Sequence, residues 1–134
     1  MIRLLIADDH PLVRRGLRDL LADTPDIAIT AEASDGIEVL TLLDTHEIDV
    51  VLLDLNMPRK SGLETLVELK RLYPTLPVLI ISGHCVEQYA TRLGKLGAAG
   101  FVSKQDAPEQ LIEAIRRAIE DMPNRPSQAV SSLA

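Results

Sequence analysis

The sequence predicts an α/β fold in which a five-stranded parallel sheet carries helices on both faces. Three observations support this. Five short apolar runs recur at regular spacing, and segments with helical periodicity lie between and after them. The third run, VVLLDL at 50–55, is apolar on both faces, as expected of a strand buried between two helical layers.

In chain order, the first strand is IRLLIA (2–7). Leu12, Val13, Gly16, Leu17, Leu20 and Leu21 then form one helical stripe. The second strand is IAITAEA (27–33). After it Asp35, with Glu38 three residues on, marks a helix start, because such a pair can satisfy orphan backbone N–H groups. The third strand, DVVLLDL (49–55), leads to a second pair, Ser61 and Glu64. The fourth strand is PVLIIS (77–82). Val86, Tyr89, Ala90, Leu93 and Leu96 make the next stripe, whose interior Gly94 costs about 1 kcal/mol relative to Ala and predicts a mobile helix. The fifth strand is AGFVS (99–103). The pair Asp106 and Glu109 opens a last helix with Leu111, Ile112, Ile115, Ile119 and Met122 on one face. That helix is expected to stop before Pro123. Residues 1–122 are therefore read as one domain, and 123–134, with two prolines and three serines, as a linker-like tail.

The totals agree. A chain of 134 residues fits one domain able to bury roughly two-thirds of its unfolded surface. One Phe, two Tyr and no Trp make the core aliphatic. Fourteen basic against twenty acidic residues give −6, which argues against direct contact with nucleic acid or an anionic membrane. No apolar run approaches the roughly 18 residues of a membrane span, and the N-terminus lacks a basic-then-apolar signal, so a cytoplasmic location is expected. The single Cys85 excludes an internal disulfide framework and reads as a structural or incidental thiol. His10, His46 and His84 show no metal-ligand spacing; His10 follows the acid pair and is expected to support it only indirectly, and His46 reads as a surface residue at a helix end.

Parallel α/β sheets place ligand sites beyond the carboxyl ends of their strands. Here the first strand ends in Asp8 and Asp9, the third in Asp54, the fourth in Ser82 and the fifth in Lys104. In the strand order 2-1-3-4-5, known as flavodoxin-like, the first and third strands are neighbours and the three carboxylates meet at the switch point. Two unit charges about 4 Å apart interact by roughly 4 kcal/mol at an effective dielectric near 20, so such a cluster calls for a cation. Lys104 cannot balance three acids. A hard divalent ion can, and an all-oxygen set suits Mg²⁺.

The segments IADDHPLVRRGLRDLL, VVLLDLNMPRKSG, VLIIS and GFVSK resemble a bacterial response-regulator receiver domain of the NarL/FixJ type. The resemblance covers residues 2 to about 121. It implies that Asp54 accepts a phosphoryl group from a sensor histidine kinase. It also implies that Asp9 and Asp54 ligate Mg²⁺, Asp8 acts through water, and Asn56 offers its backbone carbonyl while its side chain is free to tune the site. Ser82 and Lys104 would contact the phosphoryl oxygens, and Pro58 and Gly62 would shape the loop after Asp54. Ser82 and Phe101 would form the switch, and His84 holds a position that can tune acyl-phosphate lifetime. A C-terminal helix-turn-helix domain beyond these residues and a phosphorylation-linked homodimer are further implications of the family.

Rival patterns are weaker. Gly94, Gly97 and Gly100 precede a strand, whereas a dinucleotide fingerprint follows one. DLN (54–56) resembles an aspartyl-phosphate phosphatase motif but has Asn56 at the second acid and lies on the third strand. A stand-alone receiver, or a pseudo-receiver acting without phosphorylation, is the remaining alternative. The intact set of acids, Ser82 and Lys104 weighs against the pseudo-receiver.

Overall fold

The computed structural model describes residues 1–83, 87–106 and 108–120, and only the backbone of 87–90. His84, Cys85, the side chains of Tyr89 and Ala90, Met122 and the tail 123–134 lie outside the described residues. Strands and helices alternate five times: β1 (Ile2–Ala7), α1 (Pro11–Leu21), β2 (Ile27–Ala33), α2 (Gly36–Thr45), β3 (Val50–Asp54), α3 (Gly62–Leu72), β4 (Val78–Ser82), α4 (Glu87–Lys95), β5 (Gly100–Ser103) and α5 (Pro108–Glu120). The five strands form one sheet of order β2-β1-β3-β4-β5, every pairing parallel. The expected fold class and strand order are both found.

Alternation along the strands divides the core. Leu5, Ala7, Val51, Leu53, Val78 and Ile80 face Val39 of α2, Leu66 and Leu69 of α3, and Leu93 of α4. Leu4, Ile6, Val50, Leu52, Leu79 and Ile81 face Leu17 and Leu21 of α1, with Leu111 and Ile115 of α5. Every residue of β3 and β4 is buried, so neither strand has a solvent face.

Helix starts follow the local chemistry. Ser61 and Glu64 form a reciprocal capping box at α3. Asp35 caps α2 by accepting from the Glu38 N–H at 2.9 Å, while the Glu38 carboxylate turns to Ser34. Asp106, expected to open the last helix, instead stands two residues ahead of Pro108, where α5 begins, and its carboxylate accepts from the Ser103 N–H at 2.8 Å to close the turn after β5.

Two more expectations change. Leu12, placed on the buried stripe of α1, is 81% exposed, because at 3.6 residues per turn it falls on the side of the helix opposite buried Leu21. Gly94 lies in the last turn of α4, not its interior, since the helix ends at Lys95. Its helix-propensity cost is correspondingly reduced.

Candidate functional site at the carboxyl ends of the strands

The central strands set the positions. In the β1–β3 register Ala7 pairs with Leu53, so the residues that follow, Asp8 and Asp54, are neighbours at the same edge of the sheet. Asp8 is fixed by its own N–H, which donates to Ala33 O at 3.0 Å, and by Arg14, whose guanidinium donates to Asp8 O at 2.6 Å. Asp54 is the last residue of β3. The Leu55 N–H continues the ladder to Ile81 O, and the Asn56 N–H turns back to donate to Asp54 Oδ1 at 3.2 Å. Gly62 passes against this turn, donating its N–H to Leu55 O at 3.0 Å. A Cβ there would stand 2.1 Å from Asp54 O, so only glycine permits the approach.

Lys104 arrives from the end of β5. Its N–H donates to Ser82 O at 2.8 Å, and Nζ lies 3.0 Å from Asp8 Oδ2 and 3.1 Å from Asp54 Oδ2. His10, which follows the acid pair, folds its ring over the same cluster, with Nδ1 2.7 Å from Asp8 Oδ1 and 3.2 Å from Asp9 Oδ1. The structure thus brings Asp8, Asp9, Asp54 and Lys104 together, as the sequence suggests, and adds His10.

The charges are uneven. Burial pushes the Asp54 carboxyl up, and neighbouring Asp8 pushes it further, beyond what Lys104 and the Asn56 N–H offset. Burial opposes the charge on Asp8 too, but the His10 N–H, Lys104 and the His10 ring together hold it below the ordinary value. Burial disfavours the Lys104 ammonium, yet its bonds to both acids raise it overall. One ammonium among three carboxylates leaves negative charge unbalanced.

The donor set fits a hard divalent cation. One ligand atom from each of Asp8, Asp9, His10 and Asp54 lies within 4.8 Å of the others. Asp8 Oδ2 and Asp9 Oδ1 are buried without an aligned hydrogen bond, although the former is ion-paired to Lys104. The cluster could therefore hold a metal ion.

Beside it, Leu55, Asn56, Ser61, Leu63, Ser82, Arg92 and Leu93 line an open cavity of about 270 Å³. Asn56 is exposed and Ser82 buried there. Arg92 was not singled out from the sequence, because an arginine on a helix stripe reads as ordinary surface. Phe101 is half-buried on β5, in register with Ile80, and packs against the α2–α3 side of the core. His84 lies outside the described residues.

The loop from Asn56 to Ser61 is tethered to α2. Arg59, the one described non-glycine residue at positive φ (62°), pairs with buried Asp35, and the Gly36 N–H donates to Lys60 O at 3.3 Å.

This edge of the sheet, with acids from β1 and β3 and a lysine from β5, is the arrangement of a signalling receiver. Residues 4–116 match the family described as the response regulator receiver domain, and the chain belongs to that family. It is 43% identical over 114 residues to the nitrate/nitrite response regulator protein NarP of Escherichia coli K12, an alignment covering 85% of this chain and 53% of that protein. It is 37% identical over 115 residues to the transcriptional regulatory protein DegU of Brevibacillus brevis, covering 86% and 49%. These relatives are of the NarL/FixJ type, and the chain spans about half their length. Among solved structures, the receiver domain of the NarL-type regulator of Mycobacterium tuberculosis superposes with a TM-score of 0.80 at 32% identity, over 89% of this chain and 96% of that one. A LuxR-family response regulator from Aurantimonas sp. SI85-9A1 gives 0.83 at 31% identity, over 92% and 91%. Among the described residues, no helix is long and apolar enough to cross a membrane.

Proposed function

We propose that this chain is the phosphoacceptor module of a two-component transcriptional regulator and that Asp54 is the residue modified. The observation that carries the proposal is the Asp54 carboxylate itself, buried at the end of the central strand and shared by Lys104 with Asp8. A carboxylate oxygen of Asp54 attacks the phosphorus of a phosphohistidine on a sensor kinase. The P–N bond breaks, and the imidazole leaves with the electron pair and takes a proton from solvent. The product is an acyl phosphate. Asp9, Asp54 and the Asn56 carbonyl would hold Mg²⁺, with Asp8 behind a water, and the ion would neutralise charge on the transferred group. Lys104 and Ser82 would take the remaining phosphoryl oxygens. The cavity beside Asn56 and Ser82 gives the group room, with Arg92 on its wall.

The switch would run through Ser82 and Phe101 to α4 and the surface it shares with β5 and α5. Asn56 and His84 would set the lifetime of the phosphoryl group. Residues 1–122 would form the receiver and 123–134 a linker to a DNA-binding domain, a reading supported by the name of DegU, a transcriptional regulatory protein, and by matches that cover only about half of each relative. Such a protein would work in the cytoplasm, and phosphorylation would promote a homodimer.

The test is incubation with a small-molecule phosphodonor, with and without Mg²⁺, followed by intact mass. One Mg²⁺-dependent phosphoryl group, absent from Asp54→Asn, is the expected result. An adduct that persists in Asp54→Asn, or none at all in the parent chain, would overturn the assignment.

A further inference from the structure

The imidazole of His10 does nothing for the helix it precedes. His10 is the N-cap of α1, yet its side chain caps no backbone N–H, and Pro11 occupies the first turn. The ring turns back into the acidic cluster instead. Nδ1 lies 2.7 Å from Asp8 Oδ1, 3.2 Å from Asp9 Oδ1 and 3.7 Å from Asp54 Oδ2, with Lys104 Nζ at 3.4 Å. The side chains of Asp8 and Asp54 are sealed from water, whereas the ring is half-exposed and stands on the solvent side of the cluster.

Two ligand atoms on opposite sides of one small divalent ion are separated by about 4.2 Å, twice a bond of about 2.1 Å. The ligand atoms of Asp9, His10 and Asp54 lie no more than 4.8 Å from one another, close to that span, with Asp8 near enough to act through water. The buried oxygens of Asp8 and Asp9 lack aligned hydrogen bonds and, among the described residues, are met only by the Lys104 ammonium and the His10 ring, which leaves both able to take a cation. On the reading that this cluster holds a divalent cation, we propose that His10 Nδ1 is a further direct protein ligand. The centre is then a mixed nitrogen–oxygen site that accepts Mn²⁺ and Ni²⁺ as well as Mg²⁺. Imidazole is a good ligand for the later first-row metals, whereas hard Mg²⁺ prefers oxygen and water. His10 therefore adds affinity selectively, for the metals that accept nitrogen.

The test measures metal binding directly, without phosphorylation. Isothermal titration of the full chain with Ni²⁺ and with Mg²⁺ is compared between the parent and His10→Ala. Pulsed EPR of the Mn²⁺-loaded protein reports directly bonded nitrogen. His10 caps nothing, so His10→Ala is expected to fold, which a circular dichroism spectrum checks. The expected result is a loss of Ni²⁺ affinity on the order of tenfold or more in His10→Ala, with Mg²⁺ affinity within about twofold. An imidazole ¹⁴N coupling should be present in the parent and absent in the variant. Asp54→Asn should weaken both metals, which separates this site from nickel held at His46 or His84. Mg²⁺ and Ni²⁺ binding that His10→Ala leaves unchanged, with no ¹⁴N coupling, would overturn the role of His10 and leave the Mg²⁺ site standing. A parent chain that binds no divalent ion would overturn both.

Discussion

Strand β3 has a buried carboxylate at each end, and the two are treated in opposite ways. Asp49, just before the strand, is enclosed by Arg3: Nε donates to Oδ2 at 3.0 Å, Nη2 to Oδ1 at 3.1 Å, and the Arg3 N–H to Oδ2 at 2.7 Å. Asp49 and Glu47 hold the Arg3 guanidinium charged well above its ordinary range. Asp54, five residues on, shares a single ammonium with Asp8 and has its carboxyl pushed up by burial and by that neighbour. The amino end of the strand is a closed ion pair that ties β3 to β1. The carboxyl end is left short of positive charge, as the proposed cation and phosphoryl site requires. Similar burial therefore does structural work at one end and chemical work at the other.

The sharpest way to break this comparison is to remove each acid's role in turn. Asp54→Asn should abolish phosphoryl uptake, as intact mass would show, yet leave the urea midpoint unchanged or higher, because it relieves repulsion with Asp8. Arg3→Met should do the reverse. It takes the guanidinium away from buried Asp49, costing roughly 3 kcal/mol in a urea or thermal melt, while the folded fraction still takes up phosphate. Equal losses of stability in both variants would erase the distinction. Next in size is Gly62→Ala. Its Cβ would meet the Asp54 carbonyl and the Leu55 backbone, so a cost of about 2 kcal/mol and slower phosphorylation are expected, from urea titration and a phosphodonor time course.

The pH dependence sharpens the contrast further. Burial pushes Asp35 up, but the Glu38 N–H and Arg59 outweigh it and hold the carboxyl below its ordinary value. A depressed carboxyl contributes stability that is complete above the unfolded value near 4 and is lost as pH falls through the folded one. Asp35→Asn should flatten that acid limb in urea midpoints measured across pH. Asp54 has the opposite sign. Its raised carboxyl makes the metal-free fold lose stability as pH rises from the unfolded value to the folded one, a slope that Asp54→Asn should remove. The smallest effect belongs to Leu12→Gln. Despite its place in the apolar stripe, an 81% exposed side chain should change stability by no more than about 0.5 kcal/mol in the same melts.

Much of the site was legible before any coordinates. Asp8, Asp9, Asp54, Ser82 and Lys104 were singled out because each falls where an apolar run ends, and strand ends are where parallel sheets expose chemistry. His10 was harder to read. Metal-ligand spacing compares histidines with one another along an element, and nothing in that pattern says that this ring folds back over the acid two residues before it. Arg92 and the Asp35–Arg59 tether were silent for a similar reason: both depend on which loop lies beside which helix. Leu12 was misplaced because the stripe was drawn too wide: the helical period puts Leu12 on the face opposite buried Leu21.

The sequence by itself determined the five-fold strand–helix alternation, the buried central strands, the Ser61 capping box and the residues at the strand ends. All of these follow from local periodicity and short-range hydrogen bonding, which a chain carries in its order of residues. The tertiary structure alone decided how those ends share charge. Lys104 reaches Asp54 from 50 residues away and Asp8 from still further along the chain, Arg3 rather than a metal neutralises Asp49, and His10 joins the acids instead of capping its helix. Coulomb energy depends on distance and on burial, and both are set only when the sheet has closed.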